Sequence, residues 1–265
     1  MKAIRRRDRV WVCIPNYHGL TKTPAKISQL SLFHLLGMQN RCPGFSEPTN
    51  TIVSVARQYC VNQALNDQDA SHVVFIDADM TFGPEQYLAL ETEFINNDLD
   101  FLSAMAFSNS IPTKPCVFGR NPEFEEWGEK PWWHVITDYP RDQRFEVYAS
   151  GMGMTLISKR MLEAMRGETE GYQHFVYPHA MAPNEDIAFC LNAKKCGYKL
   201  YVDSRVCIGH ISKEEPIITE DTYIGQGTAL LDTLDVTRYQ FKPGSTDIEP
   251  VPTGTPIMQI IKRGE

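Results

Sequence analysis

The sequence predicts an α/β fold with a mixed, mainly parallel sheet flanked by helices. Three observations carry this. Apolar strand-like runs alternate with helix-spaced segments over roughly the first hundred residues, the pattern of a doubly wound sheet. HVVFI and DFLSAMAF are apolar at nearly every position, as in strands covered on both faces. A chain of 265 residues also buries a sizeable core in one large domain or two small ones.

Val10 to Ile14 reads as a first buried strand, stopped by Pro15, which has no amide to give a ladder. A polar, Pro-containing loop is expected next, with a short apolar segment, ISQLSLFHLLGM, inside it. TNTIVSVARQYCVNQALND has helical spacing. Ile52, Val55, Ala56, Tyr59, Ala64 and Leu65 fall near one face, and Thr49 or Asn50 is the expected cap. HVVFIDAD reads as a second strand, GPEQYLALETEFINN as a helix with Pro84 in its first turn, and DFLSAMAF as a third strand.

From Asn109 to Tyr148 the chain is rich in Pro, Trp, Phe and charge, and reads as hairpin strands and loops. GMGMTLISKRMLEAM is a strand feeding a helix. EDIAFCLNAKKCG is a helix with Gly197 as its cap. YKLYVDSRVCIGHI has strand character, interrupted near Asp203 and Ser204. The last fifty or so residues hold many Pro, Gly and Thr and are expected to wrap the domain or form a lid or tail. The expected organisation is one domain over 1–215, with an irregular insertion at 109–148 and an extension at 216–265 packed on the same domain.

No apolar run approaches the ~20 residues that span a bilayer. MKAIRRRDRVWVCIPNY starts basic but lacks the apolar region and small-residue cleavage site of a signal peptide. The net charge of -7 argues against nonspecific nucleic-acid binding. Arg5, Arg6, Arg7 and Arg9 form the basic exception, either a solvated tail or a contact for an anionic acceptor or membrane headgroups. Seven cysteines without a C-x-x-C suit neither a disulfide framework nor a zinc ribbon. A reducing, cytoplasmic compartment is the simplest expectation.

The chemistry concentrates where the second strand runs into Asp77 and Asp79. Alpha/beta sheets bind ligands outside the carboxyl ends of their strands. If the strand continued regularly, both carboxylates would point the same way. Two like charges together need a cation, and a hard divalent ion, Mn²⁺ or Mg²⁺, takes oxygen ligands and phosphate oxygens alike.

Two families share this start. IDADMT matches the D-x-D-x-T motif of the haloacid-dehalogenase-like phosphatases, which would make Asp77 a nucleophile and Asp79 a general acid/base. It also resembles the D-x-D motif of GT-A-fold, family 2-like glycosyltransferases. The surroundings favour the second. In the phosphatases the motif usually opens the domain, whereas here VWVCIPNYHG and SVARQYCVNQAL precede it. Further on, SGMGMTLISKRMLEAM resembles that family's Gly-rich strand-helix unit. APNEDIAFCLNAKKCGYKLYVDSRVCIGHI is similar to its E-D helix start, G-Y turn and late G-H.

The resemblance implies a GT-A-like (Rossmann-like) fold and transfer of a sugar from a nucleotide-diphosphate sugar, with uridine as the expected nucleoside, to an acceptor hydroxyl. It assigns nucleotide-sugar contacts to Pro15, Asn16, Tyr17, Arg57, Asp77, Ala78, Gly151 and Met152. It assigns the metal to Asp79 and His210, and the acceptor's base to Asp186 with Glu185 beside it or in its place. The acceptor, whether a glycan, a small molecule or a modified nucleic acid, is left open. The insertion at 109–148 is the expected acceptor side. Its aromatics Trp127, Trp132, Trp133 and Tyr139 read as a sugar platform or a local apolar core. His174, His179, Tyr172 and Tyr177 flank the E-D loop. A non-catalytic nucleotide-sugar-binding protein is the third reading.

Overall fold

The chain begins its order with strand β1 (Arg9–Cys13), whose Val10 and Val12 face one side of the sheet and Trp11 and Cys13 the other. The computed structural model describes residues 9–17, 19–42, 44–110, 112–122, 133–167, 173–175, 184–211, 217–233 and 238–252. Arg5 to Arg7, Trp127, Trp132, Tyr172, Tyr177 and His179 lie outside them.

After β1 come α1 (Thr23–Met38), β2 (Gly44–Ser46), α2 (Val53–Asn66), β3 (Ala70–Ile76), β4 (Met80–Thr81), α3 (Pro84–Asn96) and β5 (Phe101–Met105). The middle holds β6 (Val117–Arg120), β7 (Trp133–Val135), β8 (Arg144–Val147) and β9 (Ala149–Ser150). Then follow β10 (Met154–Ser158), α4 (Lys159–Arg166), α5 (Glu185–Lys195), β11 (Leu200–Cys207) and β12 (Gly209–Ile211). Last are β13 (Ile217–Ile218), α6 (Glu220–Thr233), β14 (Tyr239–Phe241) and β15 (Ile248–Pro250).

Seven strands form the main sheet in the order β2-β1-β3-β10-β5-β11-β8. β2, β1, β3, β5 and β11 run one way, and β10 and β8 run against them. The mixed, mainly parallel sheet expected from the sequence is what forms. β3 shows why its run is apolar throughout. Val73 and Phe75 join a core with α2, α4 and α5, while Val74 and Ile76 join a second core with α1 and α3.

Several local expectations are corrected. The segment read as a loop with a short apolar stretch is the 16-residue helix α1, opened by Pro24 in its first turn. In α2 the buried face is Ala56, Arg57, Cys60, Val61 and Ala64, while Ile52, Val55 and Tyr59 point to solvent. Its N-cap is Ile52, not Thr49 or Asn50. β11 runs unbroken through Asp203 and Ser204, but its register against β5 shifts between Asp203 and Cys207, which is the signature of a bulge. The C-terminal part carries a helix and a hairpin. Tyr223 of α6 is buried, with its hydroxyl donating to the Thr137 carbonyl.

Beneath α3, the fully buried Glu91 carboxylate accepts from Tyr87 Oη (2.6 Å) and Arg41, and pairs with His72 Nε2 at 3.1 Å. Burial alone raises a carboxyl pKa, but the bonds from His72 and Arg41 outweigh it and hold Glu91 below its ordinary value. Arg41→Ala removes one partner and strands a buried charge, so a loss of about 3–5 kcal/mol is expected in urea unfolding. Adding Glu91→Gln in the same chain should recover part of it.

Candidate active site

A cavity of about 570 Å³ opens at the carboxyl ends of β1 and β3, a size that accepts a small ligand. Strand β3 ends at Ile76, and the chain then turns, with the Met80 amide donating to the Asp77 carbonyl at 3.1 Å. Asp77 and Asp79 are therefore not neighbours on a continued strand. They flank a turn whose residues Asp77, Ala78 and Asp79 line the cavity floor.

His210 is 131 residues away and is delivered by a small sheet. β12 pairs with β4 so that His210 lies opposite Met80, and the Ile211 amide donates to the Asp79 carbonyl at 2.9 Å. Gly209 permits this: a Cβ there would meet Thr81 Oγ1 at 2.3 Å and Ile217 Cγ2 at 2.6 Å. His210 Nδ1 lies 2.8 Å from the Phe107 carbonyl, and Nε2 lies 3.1 Å from Asp79 Oδ2. A carbonyl only accepts, so Nδ1 carries the proton. In the neutral ring the Nε2 lone pair then faces Asp79, the orientation in which histidines bind metals. Burial lowers the His210 pKa, but the bond and charge of Asp79 outweigh it and the net shift is upward.

Arg57 comes from the buried face of α2 and is 2% exposed. Its Nη2 donates to Asp77 Oδ1 at 2.8 Å and lies 3.6 Å from Glu185 Oε1. Its Nε and Nη1 are buried with no protein partner, a cost that a bound acceptor group would relieve. Across the cavity α5 begins at Glu185 and Asp186, where the helix dipole favours negative charge.

The site holds four carboxylates, Asp77, Asp79, Glu185 and Asp186, lining one cavity with Arg57. Burial pushes the Asp77 and Asp186 carboxyls up to about 6, with Arg57 opposing and the other carboxylates adding to the rise. Such a group invites a cation. Among the described residues no three His, Cys, Asp or Glu side chains converge closely enough to hold an ion by themselves. Asp79 with His210 offers two ligands, which suits an ion such as Mg²⁺ that keeps water and phosphate oxygens in its shell.

Pro15, Asn16 and Tyr17 line the cavity as well. Gly151 does not line it but lies close to Asp186: an added Cβ there would be 3.6 Å from Asp186 Oδ2 and 3.1 Å from Cys116 Cβ. Met152 is different: it is 1% exposed, part of the core, and does not line the cavity. Of the flanking aromatics and histidines, Tyr139 and His174 are buried, and Trp133 packs edge-on against Phe118. Sequence reasoning missed Leu20, Lys22, Val53, Asn109, Asn184 and Ile211 in the lining. Asn109 follows the third strand and Val53 and Asn184 stand at helix starts, so a rule that all loops at strand ends line the site would have found them.

Solved structures resemble this fold. A197 from STIV matches at a TM-score of 0.52 and 17% identity, over 81% of this chain and 91% of that one. GalNAc-T7, solved with UDP, GalNAc and Mn²⁺, matches at a TM-score of 0.51 and 10% identity, over 84% of this chain and 47% of that one. This chain thus spans about half the length of GalNAc-T7. No protein-family model and no curated protein matches the sequence. At these identities the likeness is one of fold, and that fold is GT-A-like.

Proposed function

We propose that this chain is a glycosyltransferase that moves a sugar from a nucleotide-diphosphate donor, uridine-linked, to an acceptor hydroxyl. The observation that carries the reading is the Asp79–His210 pair at 3.1 Å, set beside Asp77, Arg57 and Asp186 in one cavity. The residues of the D-x-D turn, the E-D helix start and the late G-H, far apart in sequence, meet there. The GT-A-like fold is independent support, and the Mn²⁺ and UDP in GalNAc-T7 agree with the metal and donor proposed.

In this reading Asp79 and His210 hold the divalent ion. When bound, the ion stabilises charge on the departing diphosphate. Arg57 holds Asp77 in place for the nucleotide through its Nη2. Asp186 accepts the acceptor's proton as the acceptor oxygen bonds to the sugar's anomeric carbon and the bond to the diphosphate breaks. A carboxyl held near 6 is a stronger base than an ordinary aspartate and is still largely ionised at neutral pH. In-line displacement of this kind inverts the anomeric carbon.

The phosphatase reading draws less support. A nucleophilic Asp77 needs its oxygens free to attack, yet Arg57 occupies its Oδ1. Asp79, its would-be acid, faces His210 instead.

A thermal-shift screen of UDP-, GDP-, CMP- and TDP-sugars with and without Mn²⁺ tests the donor class. Binding to the folded state raises the melting temperature with occupancy. The expected result is a rise with a UDP-sugar that needs Mn²⁺. Equal rises with all four donors, or none with any, would remove the uridine assignment.

A further inference from the structure

The C-terminal helix α6 reaches the cavity through the loop that joins β5 to β6. Past Met105 the chain doubles back on itself. The Cys116 amide donates to the Ala106 carbonyl at 2.9 Å, Phe107 bridges Pro115, and the Ser108 amide donates to the Lys114 carbonyl at 2.8 Å. Two groups of this loop belong to the site. Asn109 is exposed and lines the cavity. The Phe107 carbonyl lies 2.8 Å from His210 Nδ1. A trans peptide unit is planar, with its C=O and N–H pointing opposite ways. The unit between Phe107 and Ser108 is therefore held from both sides, by His210 at its carbonyl and by Lys114 at its N–H.

Helix α6 grips the same loop twice. Tyr223 and Gln226 stand at i and i+3 on one face of the helix. The Tyr223 ring stacks on the Phe107 ring, with centroids 5.4 Å apart and planes at 26°, and both residues are fully buried. Gln226 takes both backbone groups of Thr113. Its Oε1 accepts from the Thr113 amide at 2.9 Å, and its Nε2 donates to the Thr113 carbonyl at 2.7 Å. One side chain thus satisfies the groups that a neighbouring strand would otherwise pair. Thr113 precedes Lys114, whose carbonyl receives the Ser108 amide. The helix has little intrinsic preference to form here. Its stretch IGQG carries Gly225 and Gly227, each costing about 1 kcal/mol relative to alanine in a helix interior. Its place is set by contacts such as these, together with Glu220, which accepts from the Tyr139 hydroxyl at 2.5 Å.

We infer that Tyr223 and Gln226 are positioning residues for the candidate active site. They fix the loop over 106–116, which turns Nε2 of His210 toward Asp79 and places Asn109 in the cavity. Packing alone would account for the buried Tyr223. It does not account for a half-buried glutamine with both ends of its amide on the backbone of one residue. The inference deepens the proposed function, in which His210 holds the metal, and rests on that reading for its effect on metal binding. The orientation of the ring is a property of the metal-free chain.

Nitrogen NMR of isotope-labelled imidazoles tests this in the metal-free protein, at a pH alkaline enough to keep the rings neutral. Wild-type His210 should be in the Nδ1–H tautomer alone. Gln226→Met keeps the side chain's length and loses both bonds to Thr113, and Tyr223→Leu loses the stacked ring. Each should give a mixture that includes the Nε2–H tautomer. In each, affinity for Mn²⁺ in the presence of UDP should fall about 10–100-fold, as when an outer-shell partner is lost. Tyr223→Phe keeps the ring and should match the wild type at His210. Gln226 is half-buried, so Gln226→Met should fold even if Tyr223→Leu does not. A merely structural role would lower the melting temperature and leave the tautomer unmoved. The Nδ1–H tautomer alone in folded Gln226→Met, or a mixture already in the wild type, would overturn the inference. Mixed tautomers in the variants with no Mn²⁺ binding by any chain, wild type included, would uphold it and count against the metal reading instead.

Discussion

Asp186→Asn should stop transfer and, at neutral pH, stabilise the protein. The two effects share one cause. Asp186 starts α5 inside the cavity, and burial raises its carboxyl from 3.8 to about 6, with Arg57 opposing. A folded pKa above the unfolded one means that this group's favourable contribution is complete below about pH 4 and is lost as pH rises through 6. At pH 7.5 the ionised carboxylate therefore costs the apo fold stability. Allowing for its partial contact with water, the cost is on the order of 1–2 kcal/mol. Asparagine keeps the shape and removes the charge. Differential scanning calorimetry should show the variant melting a few degrees higher at pH 7.5, with the gain gone near pH 4.5. Turnover should fall by ~10²–10⁴, the usual contribution of a positioned base. Unimpaired turnover would take the base role from Asp186, and an equal melting difference at both pH values would show that ionisation is not the cause.

His210→Ala should abolish the manganese dependence of nucleotide binding, with affinity for Mn²⁺ in the presence of UDP lower by about 100-fold or more. Loss of an outer-shell partner alone typically costs 10–100-fold, and His210 is proposed as a direct ligand. The Phe107 carbonyl fixes its Nδ1–H and turns Nε2 toward Asp79. Binding a metal requires that Nε2 be unprotonated, and Asp79 shifts the ring's pKa upward. The wild-type affinity for Mn²⁺ should therefore weaken as pH falls through the ring's titration. Electron paramagnetic resonance counts free Mn²⁺ directly. A pH-independent affinity, or an unchanged one in His210→Ala, would remove the histidine from the metal site.

Much of this site was legible in the sequence because strands and helix starts announce themselves locally. The D-x-D turn, Arg57, the E-D helix start and the G-H pair all come to one cavity. What the local pattern could not supply was the partner across the chain. Nothing in VARQYC says that Arg57 points inward. A helical pattern scored on apolar residues selected Ile52, Val55, Ala56, Tyr59, Ala64 and Leu65 as one face, yet of these the sheet buries only the small Ala56 and Ala64, with Cys60 and Val61, and draws Arg57 in with them. Arg57 is tolerated there because Asp77 pairs with it. Helix α1 was read as loop for a related reason. Its outer stripe is apolar, so the segment lacked the polar face that marks a surface helix. The C-terminal helix was obscured by the Gly and Thr residues in IGQGTALLDT, and it is anchored through long-range contacts of Tyr223 that no periodicity reports.

In the proposed function Asp79 and His210 together hold a metal against a nucleotide diphosphate. The most direct test is calorimetric titration of UDP into the wild-type chain and into Asp79→Ala, each with and without Mn²⁺ at pH 7.5. Tight binding is expected only for the wild type with Mn²⁺, and weak, metal-independent binding for the variant. Equal UDP affinity in all four titrations would contradict it.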